Sequence, residues 1–146
     1  MHKLLIPVDG SANADRAIAE ALKLRQAIPE LEIHLLSVQF PIDGHARSFV
    51  SQEAVDDYHR DEGLAALANA RRLLDAAGVP YTHHIAIGHV ADTIVRYAEE
   101  RGFDRIVMGS HGRSGLMNLL MGSVAREVSR RSRVPVTLVR PVEDVS

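Results

Sequence analysis

Apolar and polar positions alternate between two rhythms along this chain. Leu4 to Val8 is a short unbroken apolar run, and Leu31 to Phe40, Tyr81 to Ile87, Arg105 to Met108 and Pro135 to Val139 are further short runs of strand-like residues with polar positions among them. Such runs read as strands covered on both faces. Between them the apolar residues recur at three and four positions, the spacing of one helix face. Ala14, Ala17, Ile18, Ala21, Leu22 and Ile28 mark the first helix, with Ser11 or Asn13 as its expected cap and Pro29 as its stop. Leu64, Leu67 and Leu74 mark a long helix from Ser51 to Ala77, closed by Gly78-Val79-Pro80. Ala91, Ile94, Val95 and Ala98 mark a third, and Val124 to Ser132 a fourth. Pro41 to Val50, with Pro41, Asp43, Gly44 and Ser48, is the longest stretch without periodicity and reads as a loop.

Strands that alternate with helices predict an α/β fold: a parallel sheet with right-handed crossovers and helices on both faces. A chain of 146 residues is expected to form one domain, here residues 1–146. In such sheets ligands bind beyond the carboxyl ends of the strands, where the strand order reverses. Asp9, Val38, Ile87 and Gly109 lie at those ends.

Composition narrows the function. Apolar residues make up 46% and charged residues 25%, as in a soluble globular protein, and the net charge of −2 argues against a general nucleic-acid binder. The absence of cysteine excludes disulfides, thiolate catalysis and sulfur-based zinc sites. No apolar run approaches the ~18 residues of a membrane span. The opening Met1-His2-Lys3-Leu4-Leu5-Ile6-Pro7 is too short for a signal-peptide core, so the cytoplasm is the expected location.

The densest chemical signal follows the fourth strand. Gly109-Ser110-His111-Gly112 is separated by nine residues from Gly122-Ser123, where a helix begins. Glycines let backbone approach an anion closely, and the first N–H groups of a helix lack internal partners. A nucleotide phosphate is the expected occupant. The loop is neither a Walker A motif, having no Lys-Ser or Lys-Thr after its glycines, nor the dinucleotide G-x-G-x-x-G. Ser123 could cap the helix, donate to a phosphate, or do both.

With this loop complete, the sequence closely resembles the universal stress protein family, whose nucleotide-binding members carry G-x2-G-x9-G-(S/T). The match spans the whole chain, from Ile6-Pro7-Val8-Asp9-Gly10-Ser11 through Ile106-Val107-Met108-Gly109-Ser110-His111-Gly112-Arg113-Ser114-Gly115-Leu116 to Val134-Pro135-Val136-Thr137-Leu138-Val139-Arg140-Pro141. The resemblance implies a Rossmann-like domain of five parallel strands in order 3-2-1-4-5, with the first and fourth strands adjacent at the reversal point. It also implies an ATP site, with or without magnesium and without a redox cofactor. Pro7 and Asp9 would sit by the ribose and adenine, Val38 at the base, and Met108 and Gly109 beneath the ribose. Gly112, Arg113, Gly122, Ser123 and Val124 would surround the phosphates. Apart from the resemblance, the aperiodic segment Pro41 to Val50 leaves the strand end beside Val38 and is expected to lie over or near the adenine as a flap, or else to be a plain connector. The family pairs its last strand with a twofold mate, which implies a homodimer through Val134 to Arg140.

Plainer readings stand beside several of these. Asp9 before Gly-Ser could simply fix a turn. Arg113 and His111 could be exposed loop residues. His83 and His84, with His89 nearby, suggest a metal, but neighbours on a strand face opposite ways and no carboxylate or cysteine completes a set. They read better as surface histidines. The basic run Arg126, Arg130, Arg131 and Arg133 suggests a nucleic-acid patch, but Arg130, Arg131 and Arg133 end a helix where cations offset its dipole, the better account. The expected function is an ATP-binding regulatory module in stress response, acting through an unidentified protein partner. The alternatives are a slow ATP hydrolase, or a binder of another nucleotide or small ligand. The phosphate loop has no lysine and the sequence shows no carboxylate pair for catalytic magnesium, which argues against fast turnover.

Overall fold

The structure, a computed structural model, describes residues 2–42, 44, 48–111 and 121–140. Five strands form one parallel sheet: β1 Lys3–Pro7, β2 Glu32–Gln39, β3 Thr82–Ile87, β4 Arg105–Gly109 and β5 Val136–Val139. Their order is β3-β2-β1-β4-β5, as the resemblance implied. Four helices alternate with them: α1 Asn13–Ala27, α2 Gln52–Ala76, α3 Val90–Glu100 and α4 Ser123–Arg131.

The central strands β1 and β4 are apolar on both sides because both faces are covered. Leu4, Ile6, Ile33, Leu35 and Val107 pack with Ala17, Ile18, Leu67 and Leu74 of α1 and α2. Leu5, Leu36, Ile106 and Met108 point the other way, onto Ile94, Ala98, Ala125 and Val128 of α3 and α4. The twofold alternation of strand side chains divides one run between two cores.

The helix starts hold two corrections. Neither Ser11 nor Asn13 caps α1; the N-cap is Ala12, without a side-chain hydrogen bond. Ser11 is drawn into the preceding turn instead, its N–H donating to Asp9 Oδ1 at 2.9 Å, and its buried Oγ has no partner among the described residues. At α4 the N-cap is Gly122, so Ser123 is the first helical residue and does not cap. Ser51 does cap α2, Oγ accepting from Ala54 N at 3.0 Å.

His83 is exposed, but His84 is not a plain surface residue. Its ring stacks on His34 of β2 with centroids 5.2 Å apart, and its Nε2 lies 2.9 Å from His34 Nδ1. Tyr97 and Phe103 pack edge-on against these rings and cover that face of the sheet. Arg130 pairs with Glu127 within α4, and Arg131 reaches across to Asp92 of α3 at 2.8 Å.

Candidate functional site

The order reversal between β1 and β4 opens a cleft at the carboxyl end of the sheet. β1 turns away through Asp9-Gly10-Ser11. Gly10 has φ +87°, which glycine adopts without penalty, and a Cβ there would lie 3.4 Å from Ala66 of α2. Asp9, held by its bond to Ser11 N, is therefore fixed at the mouth of the cleft. β4 ends at Gly109, where a Cβ would stand 3.0 Å from the Asn13 carbonyl oxygen. A side chain there would push the start of α1 back by a few tenths of an ångström, so glycine lets β4 pass it closely.

The exit from β4 and the entry to α4 are tied together. Gly122 N donates to the Ser110 carbonyl at 2.6 Å, and Ser110 N donates to Val139 O at 2.9 Å. Ser110 Oγ sits 2.9 Å from His111 Nδ1, with both residues buried. Gly122 adopts φ −71° and ψ 165°, open to any residue, so backbone conformation does not demand glycine there. The N-cap of α4 is the glycine itself, so among the described residues no N-cap side chain satisfies its first turn.

These elements enclose a cavity of about 510 Å³, within the roughly 300–1,000 Å³ usual for small-molecule sites. Pro7, Asp9, Val38, Met108, Gly109, Gly122, Ser123 and Val124 all line it. Gly112 and Arg113 lie outside the described residues, as do residues 43 and 45–47 of the expected flap. The wall also holds Ser37, Gln39, Phe40, Ala66, His89 and Glu127, which sequence reasoning did not place there, and His111. Gln39 Nε2 donates to the buried Ser37 Oγ at 3.0 Å, fixing an amide beside Val38. A strand signal could have flagged Ser37 and Gln39 as polar residues ending an apolar run; nothing in the sequence brought Ala66 or Glu127 to this wall. A second concavity, about 650 Å³, is an open groove along the outer face of α2 by Leu64 and Arg71, away from the strand ends.

Comparison with known proteins agrees with this architecture. The model of the universal stress protein family matches residues 1–140, and the chain belongs to that family. It is similar to universal stress protein YxiE of Bacillus subtilis, 32% identical over 146 residues that cover 95% of this chain and 99% of that one. Universal stress protein MJ0577 of Methanocaldococcus jannaschii is 30% identical, covering 94% of each. The solved structure of MJ0577 superposes with a TM-score of 0.81 at 28% identity, covering 98% of both chains. A universal stress protein solved in complex with cAMP gives a TM-score of 0.71 at 26% identity, covering 94% of this chain and 96% of that one. No helix among the described residues is long and apolar enough to cross a membrane.

Proposed function

We propose that this protein is an ATP-binding regulatory module of the stress response, with the nucleotide in the cavity at the carboxyl ends of β1 and β4. One observation carries the reading: eight of the ten positions expected around a nucleotide line a single cavity, into which an uncapped helix start opens. The donor set suits the ligand. Asp9 already accepts from Ser11 N, and a carboxylate has further lone pairs for ribose hydroxyls. The turn role and the ribose role are thus compatible. The strand end at Val38, with the Ser37–Gln39 pair, offers polar groups to a base edge. The first turn of α4, with Gly122 and Ser123, offers N–H donors and the positive end of a helix dipole to phosphate. Among the described residues no cluster of three His, Asp or Glu could hold a metal, so magnesium would arrive on the phosphates. The cAMP complex of a relative supports an adenine nucleotide as the ligand class. Protein purified under native conditions, denatured and read by mass spectrometry, is expected to release an adenine nucleotide. Preparations that release none, and that fail to bind added ATP, would sink the reading.

Asp9→Ala is expected to lower ATP affinity about tenfold, since a hydrogen bond to a charged acceptor contributes roughly 1.5–3 kcal/mol. Isothermal titration with ATP checks it. Equal affinity in both forms would leave Asp9 as a turn residue alone.

A homodimer through Val134 to Arg140 belongs to the same proposal. β5 is an edge strand, and an apolar edge invites pairing. Val134, Val136 and Leu138 turn their side chains onto the protein's own core beside α3 and α4. The mate would therefore be held mainly by backbone groups. The carbonyls of Pro135 and Val139 accept from β4 and the residue after it, so by strand alternation the N–H and C=O of Val136 and Leu138 point outward. Leu138→Pro removes an outward donor and spares the β4 ladder. Sedimentation equilibrium is expected to show twice the 16.0 kDa chain mass for the natural sequence and a shift towards 16.0 kDa for this variant. A natural chain that sediments at 16.0 kDa would end the dimer.

A further inference from the structure

Large apolar side chains are exposed on neighbouring elements at the carboxyl end of the sheet, where β2 and β3 end and α2 begins. Among the described residues they are Phe40, Phe49, Val50, Tyr58 and Ile87, exposed from 46% at Val50 to 78% at Phe49. Single exposed apolar residues are ordinary; five at one place are not. Gln39 and Ile87 are register partners on β2 and β3, so Phe40 leaves the sheet beside Ile87. Gly63 of α2 presses so closely on Ile85 that a Cβ would fall 2.7 Å from its side chain. A helix rises about 1.5 Å per residue and a strand about 3.3 Å, so four residues back along α2 matches two forward along β3. That brings His59 level with Ile87. Tyr58 packs its ring against His59 at 5.6 Å, and Phe49 and Val50 lead directly into the Ser51 cap of the same helix.

The same end of α2 is strongly acidic. Residues 52–62 hold Glu53, Asp56, Asp57, Asp61 and Glu62 against Arg60 alone, more negative than the whole chain at −2. Arg60 is itself bound by Asp57 at 2.9 Å. An apolar patch rimmed by carboxylates selects its partner by charge.

We propose that this corner is a docking surface for a basic segment of a partner protein that carries large apolar side chains. A second copy of the chain fits poorly, because two acidic helix ends would face each other. An anionic lipid surface is repelled for the same reason. The corner lies on the β3 side of the sheet, opposite β5, so docking here leaves the β5 edge open. Phe40 also lines the cavity, so the patch borders that site, while Phe49, Tyr58 and the carboxylates of α2 are not among its lining residues and carry the proposal by exposure and charge.

The test uses the full chain and a fluorescein-labelled amphipathic peptide of lysine, leucine and phenylalanine, followed by fluorescence anisotropy. A companion peptide with glutamate in place of lysine is the charge control. The natural protein is expected to bind the lysine peptide and not its companion. Phe49→Ser with Tyr58→Ser, and separately Asp56→Lys with Asp61→Lys, should each weaken binding about tenfold, as loss of central interface groups does. Glu30→Lys with Glu100→Lys makes the same change of charge elsewhere and should leave binding intact. All these residues are exposed, and circular dichroism melting confirms that each variant folds. The proposal is overturned if the lysine peptide does not bind, if the apolar variant binds like the natural protein, or if the distant reversal weakens binding equally. Self-association abolished by Phe49→Ser with Tyr58→Ser would assign the corner to a second copy and also overturn it. Sedimentation with phosphatidylcholine vesicles, lost in the same variant, would assign it to lipid with the same consequence.

Discussion

Gly122→Ile is expected to abolish measurable ATP binding, a loss of at least about a hundredfold, while the fold persists. Gly122 has an extended backbone that any residue could adopt, so conformation alone does not explain a glycine there. It is buried at the cavity wall, and its carbonyl accepts from Arg126 N at 3.0 Å as the cap of α4. A β-branched side chain at this point fills the space through which phosphate would reach the first-turn N–H groups. Losing several charge-assisted hydrogen bonds, each roughly 1.5–3 kcal/mol, accounts for the size of the effect. Isothermal titration decides, with circular dichroism confirming that the variant is folded. A folded Gly122→Ile protein that binds ATP like the natural chain would move the phosphates elsewhere in the cavity.

Acidification should destabilise the fold well before the carboxylates titrate, through the His34–His84 pair. Burial is the main reason that both rings hold protons weakly; it pushes His84 from 6.5 down to about 4, aided by His34, Arg101, His83 and Lys3. His34 is also lowered, by burial and then by Lys3, against the opposing pull of Glu32. When both rings are neutral, one N–H donates to the other's lone pair across 2.9 Å; doubly protonated, two N–H groups would face each other. The unfolded chain takes up these protons near 6.5 and the folded chain only near 4 for His84. Stability from His84 is therefore complete above pH 6.5 and is lost as the pH falls towards 4. Solvent screening at a partly exposed pair limits the loss to about 1–2 kcal/mol. Asp104 accepts from His2 N and Lys3 N, which lowers its proton affinity, so its contribution is lost only at more acidic pH. Urea unfolding across this window measures the slope, and His84→Phe, which keeps a ring beside Tyr97, should flatten it. An unchanged slope in that variant would remove the pair from the account.

The elements were legible in the amino-acid sequence, and so were the strand ends and the helix start that line the cavity. Runs such as Leu4 to Val8 and Ile106 to Met108 were legible because burial on both faces leaves no polar alternation to confuse with a helix. Gly109 and Gly122-Ser123 mark the end of a strand and the start of a helix, and all three line one cavity. Local turn chemistry was less legible: Ser11 had two backbone-directed uses open to it, and the bond to Asp9 placed its N–H in the turn while the helix began without a cap. The tertiary structure alone decided which strands became neighbours, and with that every contact across the sheet. His34 and His84 are fifty residues apart and meet only because β2 pairs with β3. Ala66 and Glu127 reach the cavity wall from helices whose own periodicity carries no sign of it. Leu138 turned inward, because α4 and α3 cover that face of β5. Periodicity records which side of an element is apolar, a local property of the chain. Which element covers that side depends on strand order and crossover, and those are settled by packing between distant residues.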